Sequence, residues 1–180
     1  MIRNDNEARR AEGAKAAGRM KMGKKALDML EKWVKWGCIT SFSVMAIVGT
    51  LQVVFRYGLG KSLDFSEELA RYTFIWSVFF GSVICFRHGS HAAIKIFVNM
   101  MPAMVRKAVL IIANLSCLAF FVVVVVQGWV ITVEAVGQST AALGVSMAFA
   151  YASLPVGGIL LVIYSLENLW NIILADGSAL

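Results

Sequence analysis

The chain has 180 residues, is 59% hydrophobic and carries a formal net charge of +6. Only 16% of its residues are charged, against about 25% in an ordinary soluble domain, and its mean hydropathy is +0.72. This balance argues against a soluble enzyme or a nucleic-acid-binding module and for an integral membrane protein long enough for one compact bundle.

Residues 1–23 are polar, basic and rich in Ala and Gly, and read as a flexible tail. Residues 24–36 differ: Leu27, Leu30, Trp33 and Val34 recur at helical spacing, with Lys25, Asp28, Glu31, Lys32 and Lys35 between them. That pattern predicts a short amphipathic helix on the membrane surface, with Trp33 and Trp36 as interfacial anchors.

Four apolar runs follow, at 36–55, 69–86, 108–133 and 147–169. Each is near or above the roughly 20 residues that cross a bilayer. They are apolar on all sides and too long for barrel strands of about 10 residues, so helices must satisfy the backbone in lipid. The expected fold is an all-α integral membrane protein with four transmembrane helices. The predicted division is a tail at 1–23, a membrane domain at 24–174 and a short tail at 175–180.

Basic residues set the expected orientation. Ten lie before the first run, three between Arg56 and Arg71, four between Arg87 and Lys107, and none after that. Such a bias places both termini in the cytoplasm and the Arg56–Arg71 connection outside. The positive charge thus reports topology; membrane lipid is an expected partner and nucleic acid is not.

The first connection gathers Arg56, Lys61, Asp64, Glu67, Glu68 and Arg71. Asp64 or Ser66 can cap the second span, and Glu67 and Glu68 sit in its first turn, where the helix dipole favours acids. Both glutamates are within helical reach of Arg71, and Arg56 arrives from the first span to close a network. Arg56, Asp64, Glu67, Glu68 and Arg71 are therefore candidates for bracing the helices or docking a partner. Solute coordination is a third reading.

Past the second span, Ala93, Ile96, Phe97 and Met100 share a face, so a second in-plane helix is expected before Pro102 breaks it. His88 and His91 are three apart but have no third ligand near them, so neither a metal nor a haem is expected. The polar residues counted inside the spans are Gln52, Asn114 and Gln127, with Glu134 at the outer end of the third. No carboxylate falls near mid-membrane, as an ion-coupled carrier would need. In the fourth span Pro155 and Gly157 predict a helix kink, and Gly158 adds room for close helix contact. Cys38, Cys85 and Cys117 lack metal or disulfide spacing. No catalytic signature or cofactor motif is present, so the chain is read as neither an enzyme nor a cofactor carrier.

The order of these features resembles a known family. Arg56-Tyr57, then Ser66-Glu67-Glu68, Arg71 and Trp76, then Arg87-His88-Gly89-Ser90-His91, Pro102 and Leu154-Pro155-Val156-Gly157 follow the pattern of the small (DctQ-like) membrane subunit of tripartite ATP-independent periplasmic (TRAP) transporters. The resemblance covers residues 24–174. Asp64-Phe65 and Lys95 depart from it, where the family often has Trp and Asp. It implies a bacterial inner-membrane scaffold subunit with two partners: a large multi-span subunit, sodium-driven, and a periplasmic substrate-binding protein. Organic acids such as sialic acid or dicarboxylates are the implied solutes. Two alternatives stand beside it: a self-contained small membrane transporter, and the membrane anchor of a redox complex.

Overall fold

The computed structural model describes the backbone of residues 2–60, 63–89 and 102–174, and the side chains of 25–60, 63, 65–88, 102 and 104–174. Five α-helices are described: α1 (Ile2–Gly58), α2 (Asp64–Gly89), α3 (Ala103–Glu134), α4 (Ala148–Tyr151) and α5 (Ser153–Leu174). A short 3-10 turn, Ala135–Gly137, follows α3. Four stretches are long and apolar enough to cross a membrane: Lys25–Gly58, Phe65–His88, Met104–Gly137 and Ala148–Leu174. They match the four predicted spans, and the described residues contain no strand beyond an isolated Ser139–Ser146 bridge.

The first boundary differs from expectation. The amphipathic stretch 24–36 is not a separate helix; α1 runs through it without a break into the span. Nothing there stops a helix. Ala, Leu, Lys, Glu and Met dominate, and the lone Gly37 is held against the Phe80 ring, 2.9 Å from where its Cβ would be. Trp33 and Trp36 lie on the uncovered side of α1, 76% and 69% exposed. The second predicted in-plane helix falls at 90–101, outside the described residues.

The start of α2 also differs. Ser66 does not cap it, because the helix already begins at Asp64; instead the Ser66 hydroxyl donates to the Leu63 carbonyl at 2.6 Å. The Asp64 side chain lies outside the described residues.

Near the fourth span, Pro155 has no N–H to give the Tyr151 carbonyl. There α4 ends at Tyr151 and α5 begins at Ser153. The fully buried Ser153 hydroxyl donates to the Ala150 carbonyl at 2.7 Å, satisfying one acceptor at the break.

Packing runs in the order α1, α2, α5, α3, each helix against the next. Val34, Val83, Phe121, Leu161 and Tyr164 form a cluster drawn from all four. Small residues bring the helices close elsewhere. A Cβ on Gly157 would lie 2.7 Å from the Phe79 ring, and one on Gly158 would lie 2.8 Å from Val125. These contacts set Phe79, Val125 and Gly157 at one depth.

Candidate functional site

Two polar layers bracket that apolar middle. They are centred on Arg71 and Arg87, sixteen residues apart on α2, or about 24 Å at the helical rise. This is somewhat less than the roughly 30 Å hydrocarbon core of a bilayer.

The Arg87 layer is the denser. Arg87 leaves the end of α2 and spreads its fork over two neighbours. Nη2 meets Asp28 Oδ1 at 2.5 Å, Nη1 pairs with Glu31, and Nη1 also donates to the Leu27 carbonyl at 2.9 Å. Its Nε lies 3.9 Å from Glu167 of α5. The guanidinium carbon sits 5.0 Å from the centre of the Tyr164 ring, over its face, a favourable cation–π position. Tyr164 donates its hydroxyl to the same Leu27 carbonyl at 3.2 Å. Glu31 further pairs with Lys35 and lies 2.5 Å from His88 Nε2. One arginine thus ties α2 to α1 and to α5. The pairing with Glu31 and Glu167 is shielded, with 14% of the Arg87 side chain, 12% of Glu31 and 20% of Glu167 exposed, whereas Asp28 is 62% exposed. A cavity of about 120 Å³ beside it is lined by Phe86, Asn168 and Asn171 as well as members of the cluster.

Between α3 and α5 a second polar contact centres on the fully buried Asn114. The Asn114 amide donates to the Ser165 carbonyl at 3.0 Å, and its oxygen accepts from Asn168 at 3.1 Å. A buried amide left unpaired would be costly; here both ends are used.

The Arg71 layer is open. Glu67 pairs with Arg71 at 3.2 Å, but their side chains are 69% and 65% exposed. Such a pair contributes below about 1 kcal/mol. Glu68 does not join them. Its carboxylate turns to the loop before α4 and accepts the backbone N–H groups of Ala142 at 3.1 Å and Leu143 at 3.0 Å. Arg56 is exposed and makes no ion pair among the described residues. A cavity of about 170 Å³ opens here, lined by Glu68, Arg71, Tyr72, Thr140 and Tyr151 among others.

The sequence-predicted group is therefore divided: Glu67 and Arg71 meet, Glu68 holds the loop, and Arg56 stands apart. Glu68→Ala should speed hydrogen exchange at Ala142 and Leu143 while leaving α2 protected. Unchanged exchange at both amides would show that the carboxylate does not order the loop.

Sequence reading missed the Arg87 cluster. Arg87 enters that reading as a marker of orientation and as part of the family pattern, with no partner assigned, and Glu167 and Asn168, which lie inside the 147–169 run, do not enter it. The available signal was Glu167 itself, a carboxylate near the end of an apolar run, with Asp28 and Glu31 one turn apart on the first helix. Among the described residues no three His, Cys, Asp or Glu side chains come together as metal ligands.

Comparison with known proteins gives this geometry a context. Residues 45–175 match the family described as the DctQ component of tripartite ATP-independent periplasmic transporters. A Haemophilus influenzae protein named as a TRAP transporter small permease is 30% identical over 59% of this chain, which spans 62% of that relative's length. The sialic acid TRAP transporter small permease SiaQ of Vibrio cholerae is 26% identical over 85% of this chain and 87% of its own. The ectoine TRAP transporter small permease TeaB of Halomonas elongata is 29% identical over 70% of this chain and 68% of its own. With the family matched across most of its length and four membrane-length helices, the chain belongs to the DctQ component family of TRAP transporters, as a multi-pass, non-enzymatic inner-membrane protein.

Proposed function

We propose that this chain is the small membrane subunit of a sodium-driven TRAP transporter for organic acids, and that it braces the large subunit rather than moving solute itself. The observation that carries this reading is the Arg87 cluster. A chain that moved solute by itself would have to shift its own helices against one another to alternate access. Here Arg87 clips α1, α2 and α5 together through its shielded pairs with Glu31 and Glu167, and Asn114 ties α3 to α5. All four spans are joined into one body.

Topologically, the basic tail and the Arg87 layer face the cytoplasm, and the Arg71 layer faces the periplasm. The Glu67–Arg71 pair is open beside the 170 Å³ cavity, which supports a role for it in receiving a periplasmic substrate-binding protein. Trp33 and Trp36 anchor the inner end in lipid, and the Pro155 and Gly157 region shapes a static bend in the fourth span. The relatives' names differ in solute, sialic acid in one and ectoine in another, which fits a small subunit that leaves solute choice to its partners.

Reconstitution into vesicles with and without an inward sodium gradient tests the proposal. The chain alone should give no sodium-dependent uptake of an organic acid, and adding the large subunit and binding protein should restore it. Uptake by this chain alone would overturn the bracing role.

A further inference from the structure

Among the described residues, Gln127 is a mid-span side chain that the fold leaves unexplained. It lies on α3 beside Gly128, and a Cβ on Gly128 would lie 2.7 Å from Leu154 Cβ. Val125, two residues away, is level with Gly158, and Gly157 is level with Phe79. Phe79 falls halfway between Arg71 and Arg87 on α2. Gln127 is therefore near the middle of the apolar thickness, about 12 Å from either charged layer. It is exposed and makes no hydrogen bond among the described residues.

The other mid-depth polar groups differ. Ser82 and Ser116 are exposed, but each returns its hydroxyl to a carbonyl of its own helix, at 2.8 and 3.0 Å. Thr40 and Ser43 on α1 have hydroxyls that can rotate to do the same. A primary amide has two donors and a carbonyl to satisfy, and acyl chains offer it nothing.

Helical geometry gives the amide a face. Leu110, Asn114, Phe121 and Gly128 point toward α5. At 100° per residue, Ser116, Phe120, Val123, Gln127 and Glu134 align along one flank of that seam. The opposite flank carries Leu115, Val122, Val126, Trp129 and Val133, with no polar atom except the indole N–H. One exposed flank thus has an unpaired amide at mid-depth and a carboxylate, Glu134, at its end; the other is built for lipid.

We infer that the Ser116–Phe120–Val123–Gln127 flank of α3 is the seat of a transmembrane helix of the large subunit, which presents a hydrogen-bonding group level with Gln127. The inference rests on the bracing function proposed above and specifies the contact face. The occupant is protein because the amide needs a polar partner at a depth without water. It is the large subunit because the family is tripartite and this chain is a small permease component.

Photo-crosslinking in the intact complex tests it. Benzoylphenylalanine at 120 or 123 should give an adduct with the large subunit, and at 122 or 126 it should not. Gln127→Leu should leave the isolated chain folded, since the side chain is exposed and makes no hydrogen bond among the described residues, but reduce the large subunit retained on purification. Adducts only from 122 and 126, adducts between two copies of this chain, or retention unchanged by Gln127→Leu would each overturn the assignment. Should the large subunit co-purify while its adducts come from the opposite flank, the bracing function stands and only the face is wrong. If no variant or wild-type chain retains the large subunit, both fall.

Discussion

Arg87→Ala should be the most damaging single polar substitution, destabilising the chain by about 3–5 kcal/mol. Arg87 is largely shielded and is shared by Asp28, Glu31, Glu167 and the Leu27 carbonyl. Removing it leaves Glu31, itself mostly enclosed, with Lys35 and His88 as its remaining partners. Glu167 loses the cation that faces it. For a chain of this size the loss should lower the midpoint of thermal unfolding in detergent by at least about 6 °C. Lysine should recover only part of it, because a point charge cannot span two carboxylates and a carbonyl or lie flat on Tyr164. Removing the carboxylate along with the arginine, as in Glu31→Met with Arg87→Met, should cost less than Arg87→Ala alone, since an apolar pair can replace a shielded ionic one at little expense. A shift below about 1 kcal/mol for Arg87→Ala would mean that the cluster is solvated and locks nothing.

The proposed lock between helices centres on Arg87. From the sequence, the dense run of charge at Arg56–Arg71 is the obvious lock, because four of its members fall within one helical turn or two. Local spacing does find the Glu67–Arg71 pair. It does not show that both side chains stand open, nor that Glu68 prefers two backbone N–H groups more than seventy residues away. The Arg87 cluster is assembled from residues that are unremarkable one by one: Asp28 and Glu31 look like the solvated face of an amphipathic helix, and Glu167 looks like a span end. Only the antiparallel pairing of α1 with α2 and the parallel placement of α5 bring them to one depth. The four spans themselves were legible because hydropathy and length are local properties. The continuity of α1 was not, since the amphipathic pattern at 24–36 says which face is polar and nothing about whether the helix bends before the span.

Glycine substitutions separate close packing from helix propensity, and their signs should be opposite. Gly128→Ala puts a methyl group 2.7 Å from Leu154 Cβ and 3.2 Å from the Pro155 nitrogen. Neither atom can swing away: one is fixed to the α5 backbone and the other is part of it, in a ring without a free torsion. α3 and α5 must separate, which costs about 1–3 kcal/mol as overpacking and also loosens the Asn114–Ser165 contact further along the same seam. Gly49→Ala on α1 meets nothing within 4 Å, so only the propensity gain of about 0.5–1 kcal/mol remains. Gly157→Ala falls between, because the Phe79 ring at 2.7 Å can turn but its Cβ at 2.9 Å cannot. Thermal unfolding of the isolated chain in one detergent should therefore rank Gly49→Ala highest, Gly157→Ala lower and Gly128→Ala lowest. If all three rise together, propensity dominates and the α3–α5 seam is looser than its glycines require. If Gly49→Ala is neutral in isolation but harmful only when the large subunit is present, the open space at Gly49 is a second place where that subunit's helices come close.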